Sequence, residues 1–183
     1  EKIKKKIIEP TLKAMKGLGY PYKGFLYAGL MIKKNEPYLI EYNIRMGDPE
    51  CQVLMMRLES DLLTILDFAT KNKIKNLVIK WSRKNCITIV LCANGYPSEY
   101  IKNSKIENLS NILENKDTQI FHAGTYQKNG EIYSTGGRVL NATSSSDNLL
   151  DARNKSIDNL KKINWLEGFF RKDIGWRVIN KSK

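Results

Sequence analysis

Apolar residues at Ile3, Ile7, Ile8, Leu12 and Met15 recur at helical spacing with lysines on the other face, and predict a helix at the start of the chain. Pro10 lies inside that pattern and predicts a kink or two short helices, because proline brings no N–H to the helical ladder. Gly17, Gly19 and Pro21 end it. Residues 24–32 form an apolar run of strand length, 33–37 are polar and turn-like, and 38–43 read as a second strand. Two strands joined by so short a link predict an antiparallel hairpin. Asp48-Pro49-Glu50 then predicts a helix start, with Asp48 as cap, Pro49 in the first helical position and Glu50 facing the helix dipole. Val53, Leu54, Met55, Met56 and Leu58 supply its apolar side, and Ser60 or Asp61 caps a further helix through Phe68.

After a polar, basic stretch over 71–84, residues 86–93 read as a buried strand ended by Asn94-Gly95-Tyr96-Pro97. Further short strands are predicted at 118–123, 131–133 and 138–142, with Gly124, Gly130, Gly136 and Gly137 at the bends. Ser144-Ser145-Ser146-Asp147 predicts the cap of a last helix reaching about Ile163. The change of character near residue 82 divides the chain into expected parts 1–82 and 83–183.

Composition narrows the class. The 183 residues are 42% apolar and 27% charged, as in an ordinary soluble domain. No stretch approaches the ~20 apolar residues that span a bilayer, so no membrane partner is expected. A chain that opens on Glu1, already in helical rhythm, reads as a piece of something longer. Cys51, Cys86 and Cys92 form no C-x-x-C pair, and His122 is the single histidine, which argues against a Cys/His zinc site and for a reducing cytoplasm. The net charge of +12 comes from scattered lysines without interleaved aromatics, so a nucleic-acid partner is not expected.

The stretch that carries chemistry is Glu41-Tyr42-Asn43-Ile44-Arg45-Met46-Gly47-Asp48-Pro49-Glu50. Residues two apart on a strand share a face, so Glu41 and Asn43 project together. A carboxylate beside an amide oxygen is a hard donor pair suited to Mg²⁺, with phosphate oxygens and water completing the shell. Arg45 continues the alternation if the strand persists, and its fork suits a phosphoryl or carboxylate group. The helix after Asp48 would aim free amides at the same place.

This string, with Gly24-Phe25-Leu26-Tyr27-Ala28-Gly29-Leu30-Met31 before it, closely resembles the phosphoribosylamine–glycine ligase (glycinamide ribonucleotide synthetase) family of the ATP-grasp superfamily. So do Met56-Arg57-Leu58, Ser60-Asp61-Leu62, Phe121-His122-Ala123-Gly124-Thr125, Thr135-Gly136-Gly137-Arg138-Val139-Leu140 and Arg171-Lys172-Asp173-Ile174-Gly175-Trp176-Arg177, in the same order. The resemblance implies an α+β fold: the C-terminal half of an ATP-grasp domain, then a small β-rich domain with one helix. It implies an enzyme that joins glycine to 5-phosphoribosylamine at the expense of ATP, through a glycyl phosphate, in purine biosynthesis. Glu41 and Asn43 match that family's Mg²⁺ or Mn²⁺ ligands, and Arg45 would stabilise the transferred phosphoryl group. The strand before them carries no further acidic ligand. The lysine-bearing strands that clamp the nucleotide are missing, so this chain alone is expected to be inactive without the N-terminal part of the enzyme.

Other residues carry weaker signals. Gly137 and Arg138 could bring an amide and a guanidinium to a substrate phosphate, or simply form a bend feeding a strand. His122 reads as structural rather than as a general base. Two other readings of the residues stand beside this one: a different ATP-grasp carboxylate–amine ligase or carboxylase, or a basic nucleic-acid-binding module.

Overall fold

The computed structural model describes residues 1–112 and 114–180 and has an α+β fold. The chain clusters into two compact units, residues 1–48 with 60–79 and residues 49–59 with 80–183. The segment 49–59 thus clusters with the later part of the chain.

The first unit opens with a π-helical turn, Lys4–Ile8, that runs into α1 (Glu9–Gly17). Pro10 explains the change of winding. Its ring crowds the carbonyl four residues back and it offers no N–H, so the ladder widens locally before regular winding resumes. Next come β1 (Tyr27–Lys33) and β2 (Glu36–Asn43), which form the expected antiparallel hairpin. Glu36 ties the hairpin to the first helix by accepting from Lys2 Nζ at 2.7 Å and Lys6 Nζ at 2.6 Å. Those two ammonium groups hold its carboxyl down at about 2. α3 (Leu62–Thr70) is capped as expected by Asp61, whose Oδ1 accepts from Thr64 N at 2.7 Å and Thr64 Oγ1 at 2.6 Å. Among the described residues this unit buries only Ile7 and Ile65 as apolar side chains, while Met31, Ile32, Tyr38, Leu39 and Ile40 stay exposed on the hairpin. A two-stranded ribbon with so little covered apolar surface is marginal in water by itself.

The second unit holds the main core. It begins with α2 (Glu50–Arg57), whose N-cap position is Pro49, not the expected Asp48. The cap is displaced because Pro49 takes a non-helical φ/ψ of −97°/26°. Arg57 fastens the end of α2 by donating to Ser82 O from Nη2 at 2.8 Å. β3 (Asn85–Ala93) then enters a four-stranded antiparallel sheet. The strands that follow are β4 (Lys105–Ile106), β5 (Thr118–His122), β6 (Thr125–Lys128), β7 (Glu131–Ser134) and β8 (Arg138–Ser146). α4 (Leu149–Lys162), β9 (Gly168–Phe170) and the short α5 (Trp176–Ile179) complete the unit. The large sheet has the order β5-β8-β3-β9, and β4-β7-β6 form a second, three-stranded sheet.

Alternation along β3 decides where the core sits. Ile87, Ile89, Leu91 and Ala93 are buried, whereas Thr88, Val90 and Cys92 point to the opposite face and are half-buried. The core gathers Ile89, Leu91, Val139, Leu140, Leu160 and Trp165, and the Trp165 indole donates to Ser104 Oγ at 2.8 Å. α4 is capped by Asn148, which accepts from Asp151 N at 2.8 Å. The expected serine cap is corrected: Ser144 to Ser146 belong to β8, where ladder pairing with β3 keeps them extended. β4, β6 and β9 are strands that the sequence pattern does not announce. No described helix is long and apolar enough to cross a membrane.

Candidate functional site

Glu41 and Asn43 lie two residues apart on β2, and their side chains meet: Asn43 Nδ2 donates to Glu41 Oε1 at 3.0 Å. The carboxylate and the amide therefore share one face, as the strand period requires. Glu41 is exposed and Asn43 half-buried at the end of the strand.

What makes room for the pair is Gly29, which the sequence reading passed over. Gly29 is the cross-strand partner of Glu41, and the ladder shifts register between Gly29 and Leu30. A Cβ at Gly29 would lie 3.0 Å from Glu41 Cγ, so the glycine lets the acidic side chain fold across the neighbouring strand. The available signal was a glycine inside a strand run, which marks a bulge or a close approach.

Arg45 falls elsewhere. β2 ends at Asn43, and Arg45 sits in the bend beyond it with Nη1 donating to Met46 O at 2.9 Å. The strand alternation thus reaches Asn43 and stops. Among the described residues no cluster of three or more His, Cys, Asp or Glu could hold a metal ion. Glu41 and Asn43 offer two hard oxygen donors of the kind Mg²⁺ accepts when phosphates and water supply the rest.

In the second unit Gly137 closes the bend that leads into β8, and Arg138 is the first residue of the strand. The Gly137 carbonyl accepts from Ala93 N at 2.8 Å, and a Cβ at Gly137 would lie 2.1 Å from the Tyr96 ring. This glycine therefore permits a close approach of backbone to aromatic ring. Gly124 packs on the same bend: its Cβ would lie 2.7 Å from Gly136 Cα and 2.8 Å from Arg138 O. His122 Nδ1 lies 2.9 Å from Thr125 Oγ1 at the exposed turn between β5 and β6.

Arg138 lines a cavity of about 410 Å³ on the sheet face away from α4, together with Val90, Cys92, Tyr96, Phe169 and Arg171. Its lining is largely apolar, and burial pushes the Cys92 thiol up. Cys86, on the same strand, is pushed up to about 11 by burial. Neither thiol has the environment of a reactive nucleophile.

Known proteins resemble the chain along nearly all of its length. The family model described as phosphoribosylglycinamide synthetase, C domain, matches residues 86–177, and that described as phosphoribosylglycinamide synthetase, ATP-grasp (A) domain, matches residues 1–51. The phosphoribosylamine–glycine ligase of Brucella melitensis is 44% identical over 179 residues, covering 98% of this chain and 42% of that protein. The chloroplastic phosphoribosylamine–glycine ligase of Arabidopsis thaliana is 45% identical over 181 residues, covering 97% of this chain and 34% of its own length. The crystal structure of phosphoribosylamine–glycine ligase from Thermotoga maritima matches with a TM-score of 0.75 at 30% identity, over 94% of this chain and 42% of that one. The chain thus spans about two fifths of the length of the bacterial relatives.

Proposed function

Because the chain belongs to the phosphoribosylglycinamide synthetase family, we propose that it forms the C-terminal part of an ATP-dependent phosphoribosylamine–glycine ligase. The observation that carries this reading is the E-x-N pair on β2, held side by side opposite Gly29. The reaction joins glycine to 5-phosphoribosylamine. Phosphoryl transfer from ATP to a glycine carboxylate oxygen gives glycyl phosphate and ADP. The amine then attacks the acyl carbon, and phosphate leaves with that oxygen.

Glu41 and Asn43 are the residues that would hold Mg²⁺ or Mn²⁺ in the assembled site. When bound, the ion neutralises phosphate oxygens and so lowers the charge that the transferred group must develop. Glu41 would give the anionic donor and Asn43 its amide oxygen. Arg45, exposed just beyond, supplies a guanidinium to the phosphoryl group or to glycyl phosphate. Arg138, at the Gly-Gly bend, holds the phosphate of the phosphoribosyl group, with Gly137 allowing the backbone to come close. Residues 1–82 complete an ATP-grasp domain, and 83–183 form the C-terminal domain of the ligase.

The missing N-terminal part supplies the rest of the nucleotide clamp. Met31, Ile32, Tyr38 and Leu39 on the hairpin would be covered by it, which accounts for the sparse core of the first unit. Cys86 and Cys92 are free thiols, which suits a reducing cytoplasm.

In the full-length ligase, ADP release requires glycine and freshly made 5-phosphoribosylamine together, and residues 1–183 alone give no release above the hydrolysis background. Release that proceeds equally well with another carboxylate and amine assigns the chain to a different ATP-grasp ligase.

A further inference from the structure

We infer that Arg171 is a second anion-holding residue of the cavity at Arg138, positioned by Asp173, and that this cavity takes a phosphorylated sugar. The inference rests on the ligase reading and adds a residue to its substrate site.

Pairing in the sheet carries the geometry. Cys92 on β3 faces Arg138 on β8 on one side and Phe169 on β9 on the other. Arg171 follows β9 immediately, so two arginines far apart in sequence flank one short stretch of β3 and line the same cavity. Both lie in the second unit, as do Tyr96 and Phe169.

Arg171 is held in one plane. Its Nε donates to Asp173 Oδ1 at 2.9 Å and its Nη2 donates to Asp173 Oδ2 at 2.6 Å. The Arg171 guanidinium in turn keeps the Asp173 carboxyl below the usual carboxylate range, so the pair stays charged. An exposed ion pair contributes little to stability, because both charges are well solvated without it. A bidentate grip does fix the guanidinium plane, and the Nη1 edge is left for a ligand.

The cavity chemistry selects the ligand class. About 410 Å³ is within the range of small-molecule sites, and the apolar walls at Val90, Tyr96 and Phe169 suit the C–H face of a furanose ring. Two guanidinium groups lining one cavity suit a phosphate, because each planar fork can give charge-assisted hydrogen bonds to its oxygens.

The test titrates the 183-residue chain with ribose 5-phosphate, ribose and inorganic phosphate, following amide shifts by NMR. Ribose 5-phosphate is expected to bind and to shift residues of β3, β8 and β9, with ribose and phosphate each binding at least about tenfold more weakly. Arg171→Ala, at an exposed position, keeps the fold and weakens ribose 5-phosphate about tenfold or more, while Asp173→Asn weakens it severalfold. In the full-length ligase both variants raise KM for 5-phosphoribosylamine far more than they lower kcat, a split that a merely structural ion pair does not produce. Unchanged binding in Arg171→Ala, or inorganic phosphate binding as tightly as ribose 5-phosphate, overturns the inference. Full-length turnover with an unchanged KM in Arg171→Ala sinks the inference while the ligase reading stands. Binding that depends on Arg171 in an enzyme without glycine-dependent turnover supports the sugar-phosphate site and removes the ligase reading.

Discussion

Replacing Glu41 and Asn43 together by alanine in the full-length ligase is expected to lower glycine-dependent ADP release by about 10³-fold or more, the scale on which groups that neutralise transition-state charge act. That corresponds to about 4 kcal/mol of transition-state stabilisation. The loss is chemical and not a folding effect, because Glu41 is exposed and neither side chain belongs to the packed core. Glu41→Gln, which keeps shape and hydrogen bonding but removes the charge, should shift the Mg²⁺ requirement upward before it abolishes turnover. Activity of the double variant within a few-fold of wild type, with folding confirmed by circular dichroism, would remove the metal assignment from β2.

The second large effect is on stability. Gly124→Ala places a methyl group 2.7 Å from Gly136 Cα and 2.8 Å from Arg138 O. Those are backbone atoms, so no rotamer change relieves the contact, and β5 must move away from the bend that opens β8. The expected cost is about 1–3 kcal/mol or more. Gly124 N also donates to Arg138 O at 3.0 Å and Thr135 N to Gly124 O at 2.7 Å, so the same movement disturbs the setting of Arg138. Gly17→Ala is the matching control, because nothing lies within 4 Å of a Cβ there and alanine favours the helix. Urea unfolding followed by Trp165 fluorescence reads the second unit, where Trp165 is buried. Equal midpoints for Gly124→Ala and wild type would show that the bend tolerates the extra carbon.

Local signals were legible wherever short-range chemistry decides the structure. The Asp61 cap, the hairpin across residues 33–37 and the disturbed winding around Pro10 all follow from a few neighbouring residues. The E-x-N juxtaposition was equally readable, because strand period alone brings Glu41 and Asn43 together.

Features set by distant pairing were not. Gly168–Phe170 is a strand because it hydrogen-bonds to the end of β3, and three residues hold no periodicity of their own. Ser144 to Ser146 looked like a cap, since serine at a helix start usually acts as one; pairing to Asn85, Cys86 and Ile87 overrides that preference. Residues 50–57 read correctly as helical, yet the apolar pattern of α2 does not say which layer will cover it. Gly29 gained its meaning only from the register opposite Glu41, and the cavity only from the row Arg138, Cys92, Phe169 across three strands.

The central claim is that this chain completes an enzyme which activates the carboxylate of glycine. The most direct measurement supplies the full-length ligase with glycine labelled with ¹⁸O in its carboxylate, ATP and 5-phosphoribosylamine, and weighs the released phosphate. The account predicts one ¹⁸O in each phosphate formed, since the carboxylate oxygen that accepts the phosphoryl group leaves with it. Phosphate free of label, released in step with product, would contradict it.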